Sequence, residues 1–165
     1  MVLQVRSWPV PVVALLDEPA HLLTAWLVLS ALPGERPRAW VPWALVGAVA
    51  IDVDHLPLYL SSADVAAPGG RPFSHSPATL AVLAVTAAGT RGRLRTAALG
   101  LAGGVVLHLL RDLATGPGVP LLWPLTDAGV RVPYAAYLAV LAAVAGVAAA
   151  RRYGAARRPV SDPGG

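Results

Sequence analysis

The chain contains five apolar runs separated by short segments in which proline, glycine and charged residues are concentrated. Proline or glycine ends most of these runs, and a run of more than ten apolar residues favours a helix over a strand. The predicted helices cover residues 17–32, 39–51, 77–89, 96–113 and 134–150. This pattern predicts an all-α protein with short connections.

Local signals define several helix boundaries. Asp17, Glu18 and Pro19 are typical of an acidic cap and a first-turn proline, so the first helix is predicted to begin there. Ser76 and Pro77 form a similar signal for the third helix. In the fourth helix, close contact with a neighbour is favoured by three small residues: Gly100, Gly103 and Gly104.

The composition indicates a membrane protein. Of 165 residues, 56% are hydrophobic and 13% are charged, and the mean hydropathy is +0.60. We expect an integral membrane helical bundle of about four to five transmembrane helices in contact with lipid. It forms a single domain over residues 1–153, followed by a disordered basic tail at 154–165. A removed signal peptide is not expected, because charged residues interrupt the first apolar run.

The basic residues predict an orientation in the membrane. All 13 are arginine, and they are dispersed among short loops and the tail, which argues against a nucleic-acid partner. Five alternating helices place nine of them on one side, which the positive-inside rule makes cytoplasmic. The N-terminus is then outside and the C-terminus is cytoplasmic. These nine are Arg36, Arg38, Arg91, Arg93, Arg95, Arg151, Arg152, Arg157 and Arg158.

The same topology brings all four histidines to the extracytoplasmic side, at the ends of four different helices. The apolar stretches before Asp52 and before His108 are only about 20 Å long as helices, against about 30 Å for the hydrocarbon layer. The polar residues are therefore predicted to lie within the bundle. Ionisable groups at that depth are costly unless they are paired or bound to metal, which predicts one shared site.

A divalent metal ion accounts for this chemistry, and the absence of cysteine restricts its ligands to nitrogen and oxygen. Zinc is favoured, with manganese and iron as alternatives. His108 and Asp112, four residues apart, share one helix face. Two of Asp52, Asp54 and His55 are expected as direct ligands and the third as their support. The predicted metal ligands are His21, Asp52, His55, His75, His108 and Asp112.

Three further residues are candidates for catalysis, and most site residues have a structural alternative. Asp54 is the predicted base, while Arg71 and Arg111 would hold an anionic group or, equally, pair with Asp64 or Asp112. Asp17 either orients His21 or caps its helix. Ser76 is read as an N-cap rather than a nucleophile. The remaining alternatives are an interfacial histidine at His21, a loop histidine at His75, a buried pair at His108 and Asp112 that only fastens helices together, and a solvated helix end at residues 52–55.

The segment after His108 combines a ligand pair with helix-breaking residues. Gly116, Pro117 and Gly118 end the fourth helix, and Pro120 and Pro124 keep the next apolar residues from resuming it. We interpret residues 116–126 as a re-entrant or interfacial lid over the site, since irregular backbone at membrane depth must line a cavity.

These motifs together resemble the YdjM-like family of membrane-associated metal-dependent hydrolases. The resemblance covers about residues 17–126. It rests on an early histidine, an Asp-x-Asp-His run, a His-Ser pair, and a His-x-x-x-Asp motif followed by Gly-Val-Pro-Leu-Leu-x-Pro. Here these are His21, residues 52–55, His75-Ser76, and His108 to Asp112 with residues 118–124. One position departs from the pattern: Gly70 stands where the family commonly has a further histidine, so one metal position is lost if that histidine is a ligand.

Three functions are considered for a protein with these features. The first is a metal-dependent membrane hydrolase that acts near the extracytoplasmic face on a lipid or other phosphoester. The second is a non-enzymatic sensor or assembly partner whose metal or polar cluster is structural. A proton or metal transporter is disfavoured, because the ionisable groups occupy one side of the membrane and the fifth helix has none in its interior.

Overall fold

The computed structural model describes residues 10–32, 39–55 and 71–156. It contains five α-helices, and a 3₁₀ helix over Ile51–His55 continues the second of them. Within the described ranges there is no β-strand, and a single antiparallel bridge joins Val119 to Val130. The all-α prediction is confirmed. The helices are α1 (Val10–Ala31), α2 (Trp40–Ala50), α3 (Pro77–Gly89), α4 (Gly92–Asp112) and α5 (Tyr134–Ala156).

Among the described residues, two helices are long and apolar enough to cross a membrane: α4, and Tyr134–Tyr153 of α5. With 11 and 13 residues, α2 and α3 reach only about 16–20 Å, short of a hydrocarbon layer of about 30 Å. The expected bundle of four to five spanning helices is therefore supported for two helices only.

Two predicted helix starts were wrong. The first helix begins at Val10, not Asp17, and Pro19 lies inside it. His21 is therefore in the middle of this helix, so the prediction that it lies at a helix end was wrong. Pro11 supplies the proline of the first turn, and the apolar residues after it continue the helix into the acidic pair. The fourth helix begins at Gly92 rather than Thr96, so the supposed arginine loop shrinks to Thr90 and Arg91. Gly92 adopts a φ of 58°, which permits this tight connection.

Other boundaries agree with the sequence. Ser76 is the N-cap of α3, and its hydroxyl accepts a hydrogen bond from the Ala78 amide at 3.3 Å. The fourth helix ends at Asp112, before Gly116 and Gly118, which both have positive φ. The start of the fifth helix also agrees, but the helix extends six residues beyond its predicted end at residue 150, through Ala156. Asp64, Gly70 and residues 157–165 lie outside the described part of the chain.

The closest helix contact joins α2 to α4 and depends on glycine. A Cβ atom at Gly104 would overlap the carbonyl oxygen of Ala44, and one at Gly47 would overlap the carbonyl of Leu101. The contact predicted for the glycines of the fourth helix is thus present, with α2 as the partner. Its consequence is that the end of α2 is held against the last two turns of α4.

Two apolar clusters place the other helices around this pair. Ala25 and Leu29 of α1 pack with Ala44, Ala48 and Leu107. On the other side, Leu80 and Leu83 of α3 pack against a buried group formed by Val105, Leu109 and Val119. A hydrogen bond of 2.7 Å between the Thr24 and Tyr137 hydroxyls joins α1 to α5.

We expect Gly104→Ala to reduce the free energy of unfolding by about 1–3 kcal/mol, because α2 must move away from α4. Thermal unfolding of the purified protein in detergent would measure this. Gly146→Ala in α5 is the matched control, since a Cβ there meets no atom within 4 Å and alanine favours a helix. Equal effects of the two substitutions would contradict the close contact.

Candidate metal centre

Four separate elements bring the predicted metal ligands together. α1 contributes His21, and the 3₁₀ helix Ile51–His55 contributes Asp52, Asp54 and His55. His75 directly precedes the N-cap of α3, and the last two ligands, His108 and Asp112, come from α4. All of them lie on the inner faces of their elements. His21, His75, His108 and Asp112 are each at most 1% exposed.

The 3₁₀ helix decides how residues 52–55 are presented. With three residues per turn, side chains three apart in sequence lie above one another. Asp52 and His55 therefore face the same side, and Asp52 Oδ1 lies 3.2 Å from His55 Nδ1. Asp54 is held to the same group, because its Oδ1 lies 2.9 Å from His55 Nδ1. An α-helical continuation would have turned Asp54 away.

Two carboxylates form the centre of the cluster, and three imidazoles surround them. Nε2 of His21 lies 4.0 Å from Asp52 and 3.5 Å from Asp112, and Nε2 of His75 lies 2.9 Å and 3.9 Å from the same two groups. Nε2 of His108 lies 3.6 Å from Asp52 and 3.0 Å from Asp112. All three nitrogens are thus within 4.0 Å of both carboxylates.

Hydrogen bonding at His108 leaves a lone pair directed into this cluster. Its Nδ1 donates to the carbonyl oxygen of Ala48 at 2.9 Å, which assigns the proton to that nitrogen. Nε2 of His108 and both oxygens of Asp112 are buried and receive no aligned hydrogen bond. Electron-rich atoms 3.0 Å apart repel one another unless a proton or a metal ion lies between them, and a divalent ion is an occupant that this set of nitrogen and oxygen atoms fits.

The ligand atoms divide into two neighbouring groups that could each hold an ion. In each group the atoms lie within 4.8 Å of one another. Asp52 belongs to one group and approaches His108 of the other, so the groups are continuous. The geometry therefore suits one ion or two adjacent ions. The groups are Asp52, Asp54, His55 and His75, and His21, His108 and Asp112.

Both predicted arginines contact this cluster. Arg71 Nη1 lies 2.7 Å from Asp112 Oδ2, and its Nε donates to the Gly118 carbonyl at 2.9 Å. Arg71 thereby ties the segment after α4 to the cluster. Arg111 Nη1 lies 2.8 Å from His21 Nε2, and its Nη2 forms an ion pair with Asp17. Asp17 is therefore a partner of Arg111 and His21, and not a helix cap.

Sequence reasoning missed two groups at the site. The Ala48 carbonyl, which orients His108, is a backbone atom and leaves no sequence signal. Glu18 has a buried carboxyl oxygen, and burial together with the Asp52 carboxyl group raises its pKa, so it belongs to the site and not to a helix cap. Its position three residues before His21, on the same helix face, was the available signal.

Charges on the 3₁₀ helix shift the pKa values of the two histidines beside it. Burial opposes protonation of His55, but the carboxylates of Asp52 and Asp54 beside its ring outweigh this effect and raise its pKa to about 9. The pKa of His75 is raised by the same balance. Burial alone would raise the pKa of Asp54, yet the two imidazoles beside its carboxylate lower it.

These shifts predict how the stability of the metal-free protein depends on pH. A protonated His55 stabilises the fold fully below its ordinary pKa of 6.5, and this contribution is lost as the pH rises through about 9. Thermal unfolding of chelator-treated protein between these pH values should therefore show decreasing stability. His55→Gln should flatten the decrease, and a wild type whose stability rises over the same range would contradict the assignment.

A family model described as YdjM inner membrane protein matches residues 17–161, which is most of the chain. No curated protein and no solved structure matches the chain. The match includes every residue of the cluster.

Proposed function

We propose that this chain, which belongs to the YdjM inner membrane protein family, is a metal-dependent membrane hydrolase that acts on a phosphoester. The observation that supports this most is the convergence of three imidazole nitrogens on Asp52 and Asp112, each within 4.0 Å of both carboxylates. Such a set of nitrogen and oxygen ligands suits zinc, manganese or iron, and zinc is the first choice.

The residues fit a metal ion because some of the buried ligand atoms receive no hydrogen bond. His108 Nε2 and Asp112 Oδ1 are the clearest cases, whereas Asp112 Oδ2 is paired with Arg71. A divalent ion bound there supplies a water of lowered pKa and positive charge for a phosphoryl oxygen. Direct ligands would be His21, Asp52, His75, His108 and Asp112, with His55 beside Asp52.

In this proposal Asp54 accepts the proton of the attacking water. The lowered pKa keeps its carboxylate ionised at neutral pH, and His55 holds one of its oxygens at 2.9 Å. Arg71 and Arg111 add positive charge beside the ligands and would attract an anionic substrate. The burial of His21, His75 and His108 limits the access of bulk water to the reacting groups.

Metal-dependent hydrolysis is the direct test. Purified protein is stripped with a chelator, reloaded with zinc, manganese or iron, and assayed with a soluble phosphodiester. Hydrolysis that disappears on stripping and returns with one of these ions is the expected result. Failure of every ion to produce hydrolysis, in protein that binds the metal, would contradict the enzymatic proposal.

We further propose that the site lies near the extracytoplasmic face, with the N-terminus outside and the C-terminus in the cytoplasm. The supporting observation is that Arg91, Arg93 and Arg95 lie at the start of α4, while the metal ligands lie at its other end. The chain has no cysteine, so single introduced cysteines give an unambiguous label. Cysteines at positions 127 and 91 should react with an impermeant reagent from opposite sides; labelling of position 127 only from the cytoplasm would reverse the proposal.

One observation favours a second candidate, a non-enzymatic membrane protein with a structural polar cluster. Arg71 pairs with Asp112 and Arg111 contacts His21, so part of the cluster already has cationic partners. Metal content separates the two functions. A sensor or assembly role without metal would give wild-type protein that is folded and stable yet contains no ion after purification.

A further inference from the structure

An apolar groove adjoins the metal cluster between α2, α3 and α4. It has a volume of about 460 Å³. Its walls include Ile51 at the end of α2, Thr79 and Leu83 of α3, and Leu101 and Val105 of α4. Asp54 and Ser74 line it as well and provide its polar groups at one end.

This polar end belongs to the candidate centre. The Ser74 hydroxyl lies 3.5 Å from Nδ1 of His75, and Asp54 Oδ2 lies 3.4 Å from the same nitrogen. A molecule in the groove would therefore have an apolar part against Leu83 and Leu101 and a polar part beside the metal ligands. Only an amphiphile satisfies both ends.

The surroundings of the groove indicate where the amphiphile comes from. On the outer side of α3, Val82 and Val85 are 66% and 73% exposed, and on α4 Leu99 is 44% exposed. In an inner membrane protein such apolar surfaces face lipid. The groove is lined by residues of the same two helices, α3 and α4, that carry this surface, so lipid in contact with these helices lies next to the groove.

The size of the groove favours a narrow occupant over a helix. One turn of α-helix, about 10 Å across and 5.4 Å long, occupies roughly 420 Å³, so a partner helix would find room for little more than a turn. A single hydrocarbon chain is much narrower and can follow the groove along its length. From these observations we propose that the groove binds one acyl chain of a phosphoester lipid and places its phosphate beside Asp54 and His75. The identity of this lipid as the substrate rests on the proposed hydrolase function.

Photolabelling locates the chain without relying on activity. The protein is placed in nanodiscs containing phosphatidic acid with a diazirine in one acyl chain, irradiated, and digested for mass spectrometry. We expect adducts concentrated at the groove residues Thr79, Leu83, Leu101 and Val105, and not at the exposed Val82. Adducts spread evenly over exposed positions such as Val85 and Leu99, or found only at a contact between two copies of the chain, would overturn the proposal.

Matched tryptophan substitutions test the groove itself. Leu83→Trp and Leu101→Trp should fill it and remove these adducts, whereas Leu99→Trp, a leucine exposed on the same helix as Leu101, should leave them unchanged. Equal metal content in all three variants shows that the fold is retained. Unchanged labelling in both groove variants contradicts the proposal.

The outcomes for the groove and for the hydrolase are distinguishable. Labelling is repeated with Asp52→Asn, in which metal binding is expected to fail while the groove remains. Groove adducts in a wild type without hydrolysis would uphold the lipid site and remove the enzyme proposal. Metal-dependent hydrolysis of a soluble phosphodiester, with lipid adducts only outside the groove, would uphold the enzyme proposal and remove the lipid site.

Discussion

Asp52→Asn is expected to reduce metal affinity by at least about 100-fold, since even residues that only support a ligand typically change affinity 10–100-fold. Among the described residues, Asp52 is the one carboxylate within 4.0 Å of the imidazoles of His21, His55, His75 and His108. Asparagine keeps the shape of the aspartate side chain but removes its negative charge. Metal content after purification, and competition with a chelator of known affinity, would measure the loss.

The control for this prediction is Asp127→Asn, which changes the same chemical group at an exposed position. It should leave metal content unchanged. Hydrolysis by Asp52→Asn should fall with metal content, because the proposed reaction depends on the ion. A wild type that purifies without metal, or an Asp52→Asn protein that retains it, would remove the metal centre from the proposal.

The second large effect concerns Arg71. In metal-free protein, Arg71→Met should reduce the free energy of unfolding by about 3–5 kcal/mol, because it leaves the fully buried Asp112 carboxylate without its guanidinium partner. For a chain of this length that corresponds to a fall in Tm of about 6–20 °C. With metal bound the cost should be clearly smaller, because the ion also neutralises Asp112.

Thermal unfolding with and without metal checks this coupling between Arg71 and the ion. Arg131→Met, at an exposed arginine, is the matched control and should leave the free energy of unfolding unchanged both with and without metal. If Arg71→Met costs the same in both states, Arg71 acts only through its hydrogen bonds to the Gly118 and Thr115 carbonyls. The charge on Asp112 would then not contribute to the stabilising effect of Arg71.

Some elements could be predicted because their signals are local. Ser76 and Pro77 determine the start of α3 through one cap hydrogen bond and one missing amide, both within the first turn. Gly116 and Gly118 end α4 for similar reasons. His108 and Asp112 share a helix face by spacing alone, and the structure places their side chains 3.0 Å apart.

Other elements were misjudged because two local signals competed. Asp17, Glu18 and Pro19 look like a helix start, but the preceding apolar residues and Pro11 begin the helix earlier. The charges of Arg93 and Arg95 are typical of a loop, yet their long side chains can reach the membrane interface from the first turn of a helix. In both cases the helix is longer than its polar residues indicate.

By itself, the sequence determined the all-α class, the membrane composition, and the concentration of histidine and aspartate at the ends of α2 and α4 and at the start of α3. These properties depend on hydrophobicity and on interactions between near neighbours in the chain. Only the tertiary structure decided that His21, His75 and His108 direct the same ring nitrogen toward Asp52 and Asp112. That arrangement depends on the glycine contact between α2 and α4, the Ala48 carbonyl and the ion pair of Arg71, all of which join residues distant in sequence.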